Sequence, residues 1–189
     1  MRRALLIAIG AGVLLGVGTR FVYELPREWW WLAKVGGPWL AVAFGTGVVA
    51  RKARDGAFAG ALCLVTATLA YYGVMSLQHA YGDSPLGLGW LLVAVPAGLG
   101  FGALGATARS RALRLPAGAA LSAAFAAEAV LTADRSAVGP AALLVAALLV
   151  PLAVGRGHRN QALVFTWAAA AFVAAAAAGR VVVALTGYS

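Results

Sequence analysis

Glu128 is the residue of this chain best placed to do chemistry. It lies in the run Leu115 to Asp134, LPAGAALSAAFAAEAVLTAD, an apolar stretch of the length that crosses a bilayer. An ionisable group inside such a span costs a few kcal/mol, so by default it marks a functional site or a paired buried charge. Its helical face carries Leu121, Phe125 and Thr132, with Ala126, Ala127 and Ala129 around it, and none of these offers a charge partner. Arg180, expected at a similar depth in the last apolar stretch, is the natural counter-ion. One reading is therefore a structural ion pair between Glu128 and Arg180. The other is a carboxylic acid facing a ligand, or kept protonated among apolar walls as a general acid requires.

Other candidates gather where spans are expected to end. Arg20, Tyr23 and Glu24 follow the first apolar stretch, and Arg27, Glu28 and the Trp29-Trp30-Trp31 run open the second. Glu24 is a possible second acid, although Glu24 and Glu28 beside Arg20 and Arg27 equally suit surface ion pairs. Tyr71 and Tyr72 close the third stretch and Trp90 begins the fourth, which would put them with Trp30 in one aromatic wall. The plainer account is an interfacial belt of Trp and Tyr. His79 is a lone histidine without metal-ligand spacing, which suits a solvated loop. Asp83 in YGDSP suits a turn, with its side chain bonding local backbone.

Several chemistries lack their residues. There is no HExxH, no Cys or His cluster, no GxSxG, no Walker loop and no GxGxxG in a strand-to-helix setting. There is no DDxxD-type cluster for magnesium and diphosphate, and no ladder of ionisable residues such as a proton-coupled pump carries. The expectation is a protein with no metal and no cofactor.

The elements that must hold these residues are helices in a membrane. Of 189 residues, 62% are hydrophobic and 11% charged, and mean hydropathy is +0.87. Soluble domains run about 45–50% apolar and about 25% charged. The pattern predicts an all-α, single-domain bundle of about seven transmembrane helices, near 4–23, 30–50, 56–76, 87–107, 115–133, 138–155 and 161–186. The N-terminal stretch resembles a signal peptide but lacks a small-residue cleavage site, so it reads as a retained span. Arg2, Arg3, Arg51, Lys52, Arg54, Arg109, Arg111, Arg114, Arg156 and Arg159 would share one side, against Arg20, Arg27, Lys34, Arg135 and Arg180 on the other. That bias predicts a cytoplasmic N-terminus and an external C-terminus. The net charge of +9 is thus a topology signal and not a nucleic-acid footprint. The single cysteine, Cys63, excludes an intrachain disulfide. Composition rich in Ala, Gly, Val and Arg points to a high-GC bacterium and its cytoplasmic membrane.

Small-xxx-small pairs predict close helix approach within the chain: Gly12 with Gly16, Gly56 with Gly60, and Gly98 with Gly102. Pro96 falls in the middle of the fourth span, where it removes a backbone bond and allows a kink.

The blocks PWLAVAFGTGVVARKARDGAFAGALCLVTATLAYYGVM and GWLLVAVPAGLGFGALGATARSRAL, leading to AAFAAEAVL, resemble an uncharacterised family of small actinobacterial membrane proteins. The resemblance spans roughly residues 38–130, rests on Trp39, Tyr71, Tyr72, Trp90 and Glu128, and implies a fold but no activity. By size and layout alone the chain is also similar to small seven-span membrane-bound terpene cyclases. That similarity implies metal-independent protonation of an isoprenoid alkene or epoxide by a buried acid, with aromatic faces guiding the cation. By role, Glu128 would be the donor, and Tyr71, Tyr72, Trp30, Trp90 and Phe125 the cation-stabilising walls, each contact contributing up to about 2 kcal/mol when desolvated. Arg20, Arg180 and His79 would complete the substrate site.

The leading expectation is thus an acid-initiated cyclase whose lipophilic isoprenoid substrate enters from the lipid. The alternatives are the substrate-capture subunit of a small-molecule importer, and an accessory membrane protein in which Glu128 and Arg180 merely pair.

Overall fold

Apolar stretches of about 20 residues leave the backbone one way to satisfy its polar groups in lipid, which is to bond within a helix. The computed structural model describes residues 1–78, 86–132 and 138–154, and all regular structure among them is helical. The helices are α1 (Arg2–Phe21), α2 (Gly37–Val49), α3 (Ala53–Leu77), α4 (Leu86–Thr107), α5 (Arg114–Leu131) and α6 (Val138–Val154), with 3-10 segments at Val22–Glu24 and Arg27–Ala33. Three of these segments, Arg2–Glu24, Ala53–Leu77 and Gly89–Thr107, are long and apolar enough to cross a membrane. A fourth span results if Arg27–Ala33 and Gly37–Val49 are taken together across their 46° bend. This is the make-up of a membrane protein. Helices α5 and α6 stand at the fifth and sixth expected positions, and the stretch 161–186 lies outside the described residues.

The second span departs from the continuous helix expected over 30–50. Gly36-Gly37-Pro38 lies inside that stretch, and Pro38 sits in the first turn of α2, where its missing N–H costs nothing. The preceding Trp residues therefore belong to a separate 3-10 segment and not to α2. Pro96, by contrast, is carried within α4.

The chain forms two compact units, Met1–Arg109 and the part that begins at Ser110. In the first, α3 is the centre and packs on α1, α2 and α4. Backbones approach closely because glycine leaves no side chain between them. A Cβ on Gly12 would meet the Cys63 carbonyl and lie 2.9 Å from Thr66 Cβ, and one on Gly16 would meet the Ala67 carbonyl. Gly56, Gly60, Gly98 and Gly102 interlock α3 with α4 in the same way, and Gly47 brings α2 onto Gly102. All three predicted glycine pairs thus lie in interfaces between helices of this chain. The buried threonines Thr19, Thr46 and Thr68 satisfy their hydroxyls on their own helices, donating to the carbonyls of Leu15 (2.7 Å), Ala43 (2.8 Å) and Leu64 (2.8 Å).

These contacts sort the first unit into two ends. Ala4, Ala8, Ala50, Ala59, Cys63 and Ala106 pack together near one end, which brings the start of α1, the end of α2, the start of α3 and the end of α4 to the same place. The exposed residues Arg2, Arg3, Arg51, Lys52, Arg54 and Arg109 therefore collect there. Arg109 reinforces the arrangement by donating from Nη1 to the Val48 carbonyl at 3.1 Å. At the opposite end lie the end of α1, both 3-10 segments, the start of α2 and the end of α3.

In the second unit α5 packs against α6, and the buried Ser122 hydroxyl donates across to the Ala147 carbonyl at 2.5 Å.

Candidate functional site

The end of the first unit opposite the arginines is built by a fold-back. After α1, the 3-10 segments at 22–24 and 27–33 turn onto each other and onto the end of α1. Pro26 starts the second of them, and Trp30 pins it by donating its indole N–H to the Leu25 carbonyl at 3.0 Å. Trp30 also meets Tyr23 edge to face, with centroids 5.8 Å apart. Beneath this cap sits Arg20, its side chain only 14% exposed, bonded through Nη1 to Glu24 Oε1 at 3.1 Å. The pair spans one helical turn, and the arginine also complements the negative end of the α1 dipole.

At the same end of the unit, three aromatic rings run in a chain. Trp39 of α2 meets Tyr71 of α3 at 6.4 Å and 73°, and Tyr71 meets Tyr72 at 5.2 Å and 88°. Both are edge-to-face contacts, the geometry that places a positive ring edge on a negative ring face. All three rings are half-buried, whereas Ala43 and Leu64 behind them are sealed. The register of α1 on α3 carries Arg20 to the same height. Gly12 meets Cys63 and Ala67, and Gly16 meets Ala67 and Ala70, so the two helices advance together. One turn beyond Gly16 is Arg20, and one turn beyond Ala67 is Tyr71.

The predicted site residues divide between the two units. Arg20, Glu24, Trp30, Tyr71 and Tyr72 come together at one end of the first. Trp90 is on α4 but is 58% exposed, which suits a residue facing lipid better than one walling a pocket. Glu24, 62% exposed, accepts from Arg20 Nη1 at 3.1 Å. Glu128 and Phe125 belong to the second unit. Glu128 is half-buried and engaged, and Phe125, one turn earlier on the same face of α5, is 7% exposed. Thr132 spends its hydroxyl on the Glu128 backbone carbonyl, at 2.8 Å. His79, Asp83 and Arg180 lie outside the described residues. No three of His, Cys, Asp and Glu come together to hold a metal ion among the described residues.

Two residues were not singled out by spacing. Trp39 enters the sequence reading only through the family resemblance, and only the fold sets it on Tyr71. Trp31 sits in the belt-like tryptophan run, yet its indole nitrogen is buried and has no hydrogen-bond partner among the described residues, as is also true of Arg20 Nε.

Residues 1–187 match the model of a family of unknown function, DUF6518, and the chain belongs to that family. No curated protein and no solved structure matches it.

Proposed function

We propose that this chain is a membrane protein that captures a lipophilic small molecule at the aromatic end of its first unit. The observation that carries this reading is the Trp39–Tyr71–Tyr72 chain of half-buried rings at that end. Leu64 behind them is sealed, whereas the rings keep partly open faces. Partly open aromatic faces offer apolar contact to a lipophile. The arginine end faces the cytoplasm of a bacterium in this proposal, so the aromatic end opens at the outer leaflet. Native mass spectrometry of the purified chain tests it. A co-purifying lipophile, lost on Tyr71→Leu in a protein of unchanged melting temperature, is the expected result. Equal retention by wild type and variant, or no bound molecule after reconstitution with extracted membrane lipids, would refute it.

A second reading, acid-initiated cyclisation of an isoprenoid, rests on Glu128 beside buried Phe125 on α5. In it the carboxyl proton adds to an alkene terminus, an internal alkene attacks the resulting cation to close a ring, and loss of a proton restores neutrality. Incubation with farnesylated acceptors in heavy water tests it. One deuterium per cyclised product, abolished by Glu128→Gln, is expected, and absence of product across the acceptors counts against it.

A further inference from the structure

The aromatic end holds two buried N–H donors that no described residue uses. Arg20 Nε lies on the last turn of α1 and Trp31 Nε1 on the 3-10 segment folded onto that helix, and neither has an acceptor among the described residues. A buried donor without a partner forfeits its hydration without recompense, so two on touching elements call for an acceptor that occupies the site in use. Glu24 does not supply it, because its contact is with Nη1 on the exposed edge of the guanidinium. The formal charges around the fold-back are Arg20, Arg27 and Lys34 against Glu24 and Glu28, a cationic excess of one. That excess favours an anionic oxygen over a neutral carbonyl.

We infer that Arg20 Nε and Trp31 Nε1 form the polar end of the lipophile site and take an anionic oxygen, a phosphate or carboxylate, carried on an apolar chain. The inference rests on the lipophile-capture reading and names the headgroup. The ligand's tail lies against the Trp39–Tyr71–Tyr72 rings, which share the height of Arg20, and its head reaches beneath the cap. Trp30, by holding the cap closed through Leu25, positions Trp31. The same chemistry is offered by the headgroup of an anionic phospholipid and by a free amphiphile.

The test is a native mass-spectrometric titration of the full chain in neutral detergent with dodecyl phosphate and, in parallel, neutral 1-dodecylglycerol. Dodecyl phosphate is expected to bind at least about tenfold more tightly, the difference one charge-assisted hydrogen bond makes. Trp31→Phe keeps the ring and removes the donor, and Arg20→Lys keeps the charge and removes Nε. Each should weaken dodecyl phosphate binding by about tenfold more than it weakens 1-dodecylglycerol binding, and so remove most of the preference. If Arg20→Lys fails to fold, Trp31→Phe alone decides. A variant that folds and keeps the preference would overturn the inference. Equal binding of the two probes by wild type would overturn it too, assigning both donors to trapped water while leaving lipophile capture standing. Binding of neither would sink both. In nanodiscs, competition by phosphatidylglycerol against a phosphatidylcholine background identifies a lipid headgroup as the source, and its absence a free amphiphile.

Discussion

Gly102 is the point at which three helices meet, and replacing it with alanine should destabilise the protein markedly. A Cβ there would stand 2.9 Å from Gly60 Cα and 3.0 Å from the Gly56 carbonyl carbon, and closer still to the Gly56 carbonyl oxygen. From the other side, Gly47 of α2 packs directly on the Gly102 carbonyl. All these obstacles are backbone, so no side chain can swing aside, and α3 and α4 must separate to admit the methyl. Overpacking a tight interface costs about 1–3 kcal/mol, and a clash against two backbone segments belongs at the upper end. For a chain of this length each kcal/mol moves the melting temperature by roughly 2–4 °C, so Gly102→Ala should lower it by roughly 6–12 °C. Gly100, two residues away on the same helix, has nothing within 4 Å of its would-be Cβ. Gly100→Ala should be neutral or should gain about 0.5 kcal/mol from reduced backbone freedom. Thermal melts of detergent-purified variants, followed by circular dichroism, make the comparison. Equal stability of Gly102→Ala and wild type, or equal loss in both variants, would refute the packing argument.

Other consequences follow from single contacts. Ser122→Ala removes the bond from α5 to the Ala147 carbonyl and should cost about 0.6–1.7 kcal/mol, the range of interhelical hydrogen bonds in membranes, readable in the same melts. Cys63 of α3 is fully buried in the cluster that includes Ala4, Ala8, Ala50 and Ala106, so a maleimide should label it only after unfolding, and prompt labelling of the native protein would contradict that packing. In a Cys63→Ala background, Arg51→Cys should be blocked by impermeant thiol reagents only from the cytoplasmic side of membrane vesicles. Protection on that side and labelling outside would invert the proposed orientation.

Much of the helical layout was legible in the chain because lipid leaves the backbone little choice: an apolar stretch of sufficient length becomes a helix, and glycines four apart become its contact face. The expected stretches near 4–23, 56–76, 87–107 and 138–155 meet α1, α3, α4 and α6 within a few residues. The second stretch was misread because apolarity alone does not distinguish a helix from a 3-10 fold-back. The signal that distinguishes them is Gly36-Gly37-Pro38, which starts α2 late and frees the tryptophans before it. The candidate site was legible in part. Arg20, Trp30, Tyr71 and Tyr72 were grouped by their shared end of the spans, and they do share it. Trp90 belonged to the same end by the same reasoning but faces outward, because depth along a span follows from residue number while the face a residue turns depends on how its helix is packed.

The residue types therefore determined, without any structure, that this is a helical membrane protein with its arginines biased to one side, that its helices touch through glycine, and that Glu128 is out of place in its stretch. Only the tertiary structure decided which aromatic rings meet, and that Arg20 Nε and Trp31 Nε1 are buried without acceptors among the described residues. Those depend on contacts between residues distant in the chain or on a fold-back of the backbone, and neither is encoded in local periodicity. A hydropathic pattern sets how deep a residue lies, whereas the partner a buried donor finds, or lacks, is set by packing.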